Sequence, residues 1–120
     1  MKNKYNNKKY YEDGEKFDSA LERDVYLALI EKRKNGLISG LEFQKKFLLQ
    51  DKFECDGVKY RKIEYIADFF YYENGNPVVV DAKGFQTDVY KLKKKMFAYK
   101  YGLNILEITR KNIKNIFKNN

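Results

Sequence analysis

The stretch Ile66-Ala67-Asp68-Phe69-Phe70-Tyr71-Tyr72-Glu73-Asn74-Gly75-Asn76-Pro77-Val78-Val79-Val80-Asp81-Ala82-Lys83-Gly84 decides the fold. Asn-Gly is the strongest short signal for a two-residue type I′ hairpin loop, because both loop residues need positive φ. With Asn74 and Gly75 as the loop, Asp68 falls directly opposite Asp81, on the same face of the sheet. Strand alternation places Lys83 on that face too. Directly opposed like charges destabilise a sheet by roughly 0.2–1 kcal/mol, and by more when desolvated. Two carboxylates so placed ask for a cation, and a divalent metal is the usual answer. The hairpin therefore reads as a candidate metal site with a lysine beside it.

Working outward, Arg61 to Tyr72 forms the first long strand of this hairpin, and Pro77 to Lys83 the second. Pro77 is tolerated at a strand's first position, where no inner ladder donor is lost. Upstream, Ser19-Ala20-Leu21-Glu22 has the form of a capping box, and Leu21, Val25, Ala28 and Leu29 recur at helical spacing. This predicts a helix from Asp18 to Lys34, ended by Asn35-Gly36. Leu41 to Leu49 alternates enough for a strand, and Asp51 to Lys59 is a turn-rich connection with at most a short extended piece. Downstream, Gly84 breaks the strand and Thr87 or Asp88 caps a second helix running to Tyr101, with Leu92, Met96 and Tyr99 as the side expected to pack on the sheet. Leu103 to Ile108 is a last strand. The order is α-β-β-β-α-β, an α/β chain in which a crossover helix follows an antiparallel hairpin, giving a mixed central sheet flanked by helices. Residues 1–16 form a basic polar arm without periodicity, 17–108 the core, and 109–120 a basic tail with Ile113, Ile116 and Phe117 at helical spacing.

Composition narrows the chemistry. A chain of 120 residues is one domain, and 25 Lys and Arg against 17 Asp and Glu give a net charge of +8. Such an excess favours a polyanionic partner, nucleic acid before membrane. There is no His, which excludes His-based acid–base catalysis and His-ligated zinc, and the single Cys55 excludes a disulfide framework. Oxygen ligands remain, so Mg²⁺ or Mn²⁺ is the expected metal. No secretory signal or membrane-length apolar run stands in the sequence, so a soluble, cytoplasmic protein is expected. The bias toward Lys, Asn, Tyr, Phe and Ile points to an AT-rich coding sequence, as in a low-GC bacterium or its phage.

Four pieces now stand in order: Glu22 on the first helix, Ala67-Asp68-Phe69, Asp81-Ala82-Lys83-Gly84, and a lysine-rich helix ending in Tyr101-Gly102. This pattern resembles the PD-(D/E)xK nuclease superfamily, and most of all a small phage- and prophage-encoded group related to Holliday junction resolvases and transposon end-cleaving nucleases. The resemblance covers roughly residues 17–108. Ala67 stands where the family name has proline, and Asp81 is the Asp variant of the second acid; both variations occur in the superfamily. The resemblance implies a restriction-endonuclease-like core and a Mg²⁺-dependent DNA endonuclease, with Mn²⁺ able to substitute. It implies that Asp68, Asp81 and the backbone carbonyl of Ala82 hold the metal, that a metal-activated water attacks the phosphodiester, and that Lys83 lies beside that water and the phosphate. It makes Glu22 a further ligand, whereas the residues alone equally make it the last member of a capping box. Gln44, Thr87, Lys91, Lys94 and Lys95 are candidate nucleic-acid contacts, with Lys2, Lys4, Lys8 and Lys9 of the arm and Arg110, Lys111, Lys114 and Lys118 of the tail as further phosphate contacts. None suggests base readout, so structure-selective cutting is expected, by a homodimer where two strands are cut, with RNA an open alternative to DNA. The competing reading is a non-catalytic nucleic-acid-binding module on the same basic surface.

Overall fold

The computed structural model describes residues 10–117 of the chain. A small hairpin of β1 (Tyr10–Glu12) and β2 (Glu15–Phe17) precedes α1 (Ala20–Lys34) and the long strand β3 (Ser39–Gln50). A second small hairpin, β4 (Phe53–Cys55) and β5 (Val58–Tyr60), leads to β6 (Ile63–Glu73) and β7 (Asn76–Ala82). Then come α2 (Asp88–Tyr101), β8 (Leu106–Ile108) and the single turn α3 (Ile113–Ile116). With the small hairpins and α3 set aside, the order is α-β-β-β-α-β, as the sequence pattern predicts.

Asn74 and Gly75 have φ of 54° and 79°, the left-handed pair that a type I′ loop requires. The hairpin register follows, from Glu73 opposite Asn76 to Phe69 opposite Val80. A Cβ added at Gly75 would touch nothing, so Gly75→Ala carries backbone strain alone. It is expected to lower stability by about 1–2 kcal/mol, read as a shift in the urea midpoint at constant m-value. β3 pairs antiparallel with the other edge of β6, and β8 adds parallel to β7, giving a mixed four-stranded sheet in the order β3-β6-β7-β8. A parallel neighbour needs a crossover, and α2 supplies it.

The helices cover opposite faces. On one face Val25, Leu29 and Ile30 of α1 pack on Phe69, Tyr71, Val80 and Ile108. On the other, Tyr90 and Phe97 of α2 pack on Tyr65, Phe70 and Val79. The Ser19 hydroxyl caps α1 by accepting from the Glu22 N–H at 3.0 Å. Gly36, in the left-handed region at φ 73°, closes its C-terminus, with the Gly36 and Leu37 N–H groups donating to Arg33 and Lys32 carbonyls.

One irregularity shapes the site. Leu41 and Phe43 sit on the α1 side of β3, yet Phe47 and Leu49, of the same parity, pack on the α2 side. In β6, Tyr65 and Ala67 face α2, whereas Phe69 and Tyr71 face α1. Both strands therefore exchange faces at one level, between Phe43 and Lys45 and between Ala67 and Phe69, while their register continues across it. Gln44, the β3 residue at that level, has φ 51°, which breaks the pleat.

Three expectations change. Residues 10–16, expected to belong to an aperiodic arm, pair with Phe17 as the β1–β2 hairpin, docked on α1 by a Tyr26 hydroxyl donating to Asp13 at 3.0 Å and by Arg23 over the Tyr10 ring. Lys2, Lys4, Lys8 and Lys9, and Lys118 of the tail, lie outside the described residues. The connection after Asp51 is a complete hairpin, with Phe53 and Tyr60 stacked at 4.8 Å. The α2 stripe expected to pack on the sheet largely faces outward: Leu92 is 57% and Tyr99 93% exposed, and of the three only Met96 reaches the core. Phe97 takes the inner place because it meets Phe47, Tyr65 and Tyr101 at 5.1–5.5 Å, a larger apolar burial than the aliphatic stripe offers. Among the described residues no helix is long and apolar enough to cross a membrane.

Candidate active site

The sequence-predicted acids meet where the hairpin ladder ends. One step beyond Phe69 and Val80, the Ala82 N–H donates to Asp68 Oδ2 at 2.9 Å, so the carboxylate prolongs the pairing. Asp81, 3% exposed, lies within hydrogen-bonding reach of Asp68. Burial first, then the hydrogen bond and charge of Asp81 and the charge of Glu22, push the Asp68 carboxyl up to about 8, against the opposing Ala82 N–H. Two carboxylates in one dry place cannot both ionise cheaply, so burial and the neighbouring acid favour the protonated form of Asp68.

Lys83 Nζ lies 3.4 Å from Asp81 Oδ2 and 4.0 Å from the centroid of the Tyr90 ring. Its backbone is fixed as well, the Lys83 N–H donating to the Ile108 carbonyl at 2.8 Å. Tyr90 is held in turn, its hydroxyl donating to Glu107 Oε2 at 2.6 Å, with Lys94 Nζ 2.9 Å from the same oxygen. Burial works against the Glu107 charge, but Tyr90, Lys94 and Gln86 hold its carboxyl below the ordinary range. Glu107 sits beside Asp81 across the parallel β7–β8 pair. Sequence reasoning passed over Tyr90 and Glu107, because the register of a parallel strand after a helix carries no local signal. Lys94, a candidate nucleic-acid contact by sequence, is paired with Glu107 in the fold.

Glu22 divides its two oxygens between the start of α1 and a side chain of β3. Oε1 accepts from the Asp18 N–H at 3.4 Å at the start of α1, while Oε2 accepts from Gln44 Nε2 at 3.3 Å. Burial, with the Asp18 and Asp81 charges against the Asp18 N–H, raises its pKa. Gln44 thus belongs to the site through Glu22, and its left-handed backbone turns the side chain there. Tyr65, a site residue that the sequence did not single out, is 3% exposed beside Asp81. Its hydroxyl finds no partner in hydrogen-bond geometry among the described residues. Burial and then Asp81 drive that phenol far above its ordinary range.

Asp68, Asp81 and Lys83 open onto a cleft of about 280 Å³ whose rim includes Thr87, Val89 and Lys93. The Thr87 hydroxyl accepts from the Tyr90 N–H at 3.1 Å, so Thr87 is the α2 cap at the cleft's edge. Lys91 and Lys95 are exposed on α2, and neither lines this cleft.

The profile of one protein family, described as being of unknown function, matches residues 2–115. The chain belongs to the DUF1064 family. No curated protein matches it. In this DUF1064 member no group of three or more His, Cys, Asp or Glu converges closely enough to cage a metal among the described residues. The Asp68–Asp81 pair nevertheless fits a divalent cation in donor chemistry. Its oxygens are held together at the cost of a retained proton, and the orphaned Tyr65 hydroxyl stands beside them.

Proposed function

We propose that this protein is a Mg²⁺-dependent endonuclease of the PD-(D/E)xK kind, acting on DNA in the cytoplasm of a cell or its infecting phage. The observation that carries the reading is the buried Asp68–Asp81 pair with Lys83 against it, at the floor of an open cleft. The α-β-β-β-α-β order around a mixed sheet supports a restriction-endonuclease-like core.

Asp68, Asp81 and the Ala82 carbonyl would hold the metal, with Glu22 and Gln44 behind them. When bound there, Mg²⁺ supplies Lewis acidity toward a phosphoryl oxygen and lowers the pKa of a water, work that no histidine in this chain can do. As a ligand to that cation, Asp68 would be ionised. Lys83 brings a cation to the cleft from a position set by Asp81 and Tyr90, where it offsets charge growing on the phosphate and orients the attacking water. Tyr90, Glu107 and Lys94 position Lys83, and Lys93 on the rim meets a neighbouring phosphate.

The absence of a three-acid cage among the described residues favours a second reading, a binding module without catalysis. One assay separates them: cutting of supercoiled plasmid, linear duplex and a synthetic four-way junction in Mg²⁺, Mn²⁺ or EDTA, by wild type, Asp81→Ala and Lys83→Ala. Metal-dependent cutting lost in both variants establishes the nuclease, and preference for the junction by a dimer makes it a resolvase. No cutting of any substrate, with binding intact in both variants, leaves the binding module.

A further inference from the structure

The outward stripe of α2 has no task in the fold. Val89 is 62%, Leu92 57% and Tyr99 93% exposed, with Phe85 at 81% just before the helix, and lysines flank them. Toward the C-terminal end of this stripe an open cavity of about 820 Å³ lies between β3 and α2, floored by Leu49 and Met96, walled by Tyr99 and edged by Lys95 and Lys100. An apolar floor, an exposed aromatic wall and two cations at the rim match the parts of a nucleotide: a flat base and the phosphates on either side of it.

We propose that this cavity takes an unpaired nucleobase of the substrate strand, stacked on Tyr99, with its flanking phosphates on Lys95 and Lys100. The inference rests on the nuclease reading of the neighbouring cleft and adds the substrate class, a strand with unpaired bases beside the cut. Lys93 on the cleft rim and Lys100 at the cavity are seven residues apart on one helix, about 10 Å, a few nucleotides of extended strand. Exposed aromatics interleaved with lysines are the usual platform for single strands, since every base offers a stacking face. The charges argue against a second copy on the stripe: Asp88 is the sole acid of α2 against five lysines and would leave lysine facing lysine across a two-fold axis.

The test is equilibrium binding of a labelled single-stranded oligonucleotide, and of the duplex of the same sequence, to the full chain in EDTA. Single strand is expected to bind in preference to duplex. Tyr99→Ala should weaken single-strand binding about tenfold and leave duplex binding unchanged, with Tyr99→Phe restoring it. Lys95→Ala and Lys100→Ala should each lower the salt slope on single strand by about 0.7. Tyr99→Ala without effect, or with equal loss on both ligands, overturns the proposal. So does a dimer that Tyr99→Ala dissociates at unchanged oligonucleotide affinity, which would assign the stripe to a second copy. Binding requires no cutting, so Tyr99-dependent single-strand binding without any cleavage refutes the nuclease reading alone. Cleavage by a protein indifferent to Tyr99→Ala refutes the cavity alone.

Discussion

Asp81→Ala is expected to lower metal-dependent cleavage by about 10³-fold or more, some 4 kcal/mol of transition-state stabilisation. Asp81 is 3% exposed, faces Asp68 and holds Lys83 at 3.4 Å, so its loss removes a carboxylate of the proposed metal site and frees the lysine together. Nothing nearby replaces it: Glu107, its neighbour across β7–β8, is already committed to Tyr90 and Lys94. Lys83→Ala leaves both carboxylates in place and is expected to cost less, about 10²–10³-fold, the range for removing one charge-stabilising donor. Initial rates at saturating Mg²⁺ measure both, with thermal melts confirming that the variants fold. Full activity in Asp81→Ala sinks the site.

The metal-free protein is expected to lose stability as pH rises from about 4 to about 8. Asp68 titrates near 3.8 unfolded and near 8 in the fold, so between those values the native state holds the extra proton. Its contribution is complete below the lower value and gone above the upper one, falling by up to about 1.4 kcal/mol per pH unit. Glu22, raised also, acts in the same direction. Asp24 and Glu107, whose carboxyls are lowered, act oppositely, but their contributions disappear only as pH falls through the acid range, outside this window. On the proposed function Mg²⁺ would compete with the proton on Asp68, so the rise in Tm it causes should be larger at pH 8 than at pH 6. Asp68→Asn should flatten the decline and abolish the Mg²⁺ response. Melting curves in EDTA and in Mg²⁺ across pH 5 to 9 decide it, and stability that rises through this range in EDTA refutes the retained proton.

The hairpin could be read from Asn74-Gly75 because a turn is local: two residues set the φ values, and the register out to Phe69 and Val80 follows, one step short of Asp68 and Asp81. The helix caps at Ser19, Thr87 and Gly102 are local in the same sense. The packed face of α2 is not, since Phe97 wins it through partners on β3 and β6 that are distant in sequence. Glu107 joins the site through a parallel register that only the folded crossover defines. Glu22 was legible as a capping-box acid or a metal ligand; in the fold one of its oxygens meets the Asp18 N–H and the other Gln44, a partner on β3 that no local pattern announces.

The exchange of faces at Gln44 and Asp68 makes strand length a functional quantity. In an evenly pleated sheet a helix on one side and a helix on the other are kept apart by the full thickness of the strands. Here the layers trade places at the level of the acids, so a carboxylate from beneath the sheet and a lysine from above it serve one point. Even alternation at the same length would put Phe47 and Leu49 in the wrong core, and removing a residue from β3 alone would slip the pairing with β6 that runs unbroken across that level. Loops of this protein can change length, but these two strands cannot, even where no side chain of theirs touches substrate.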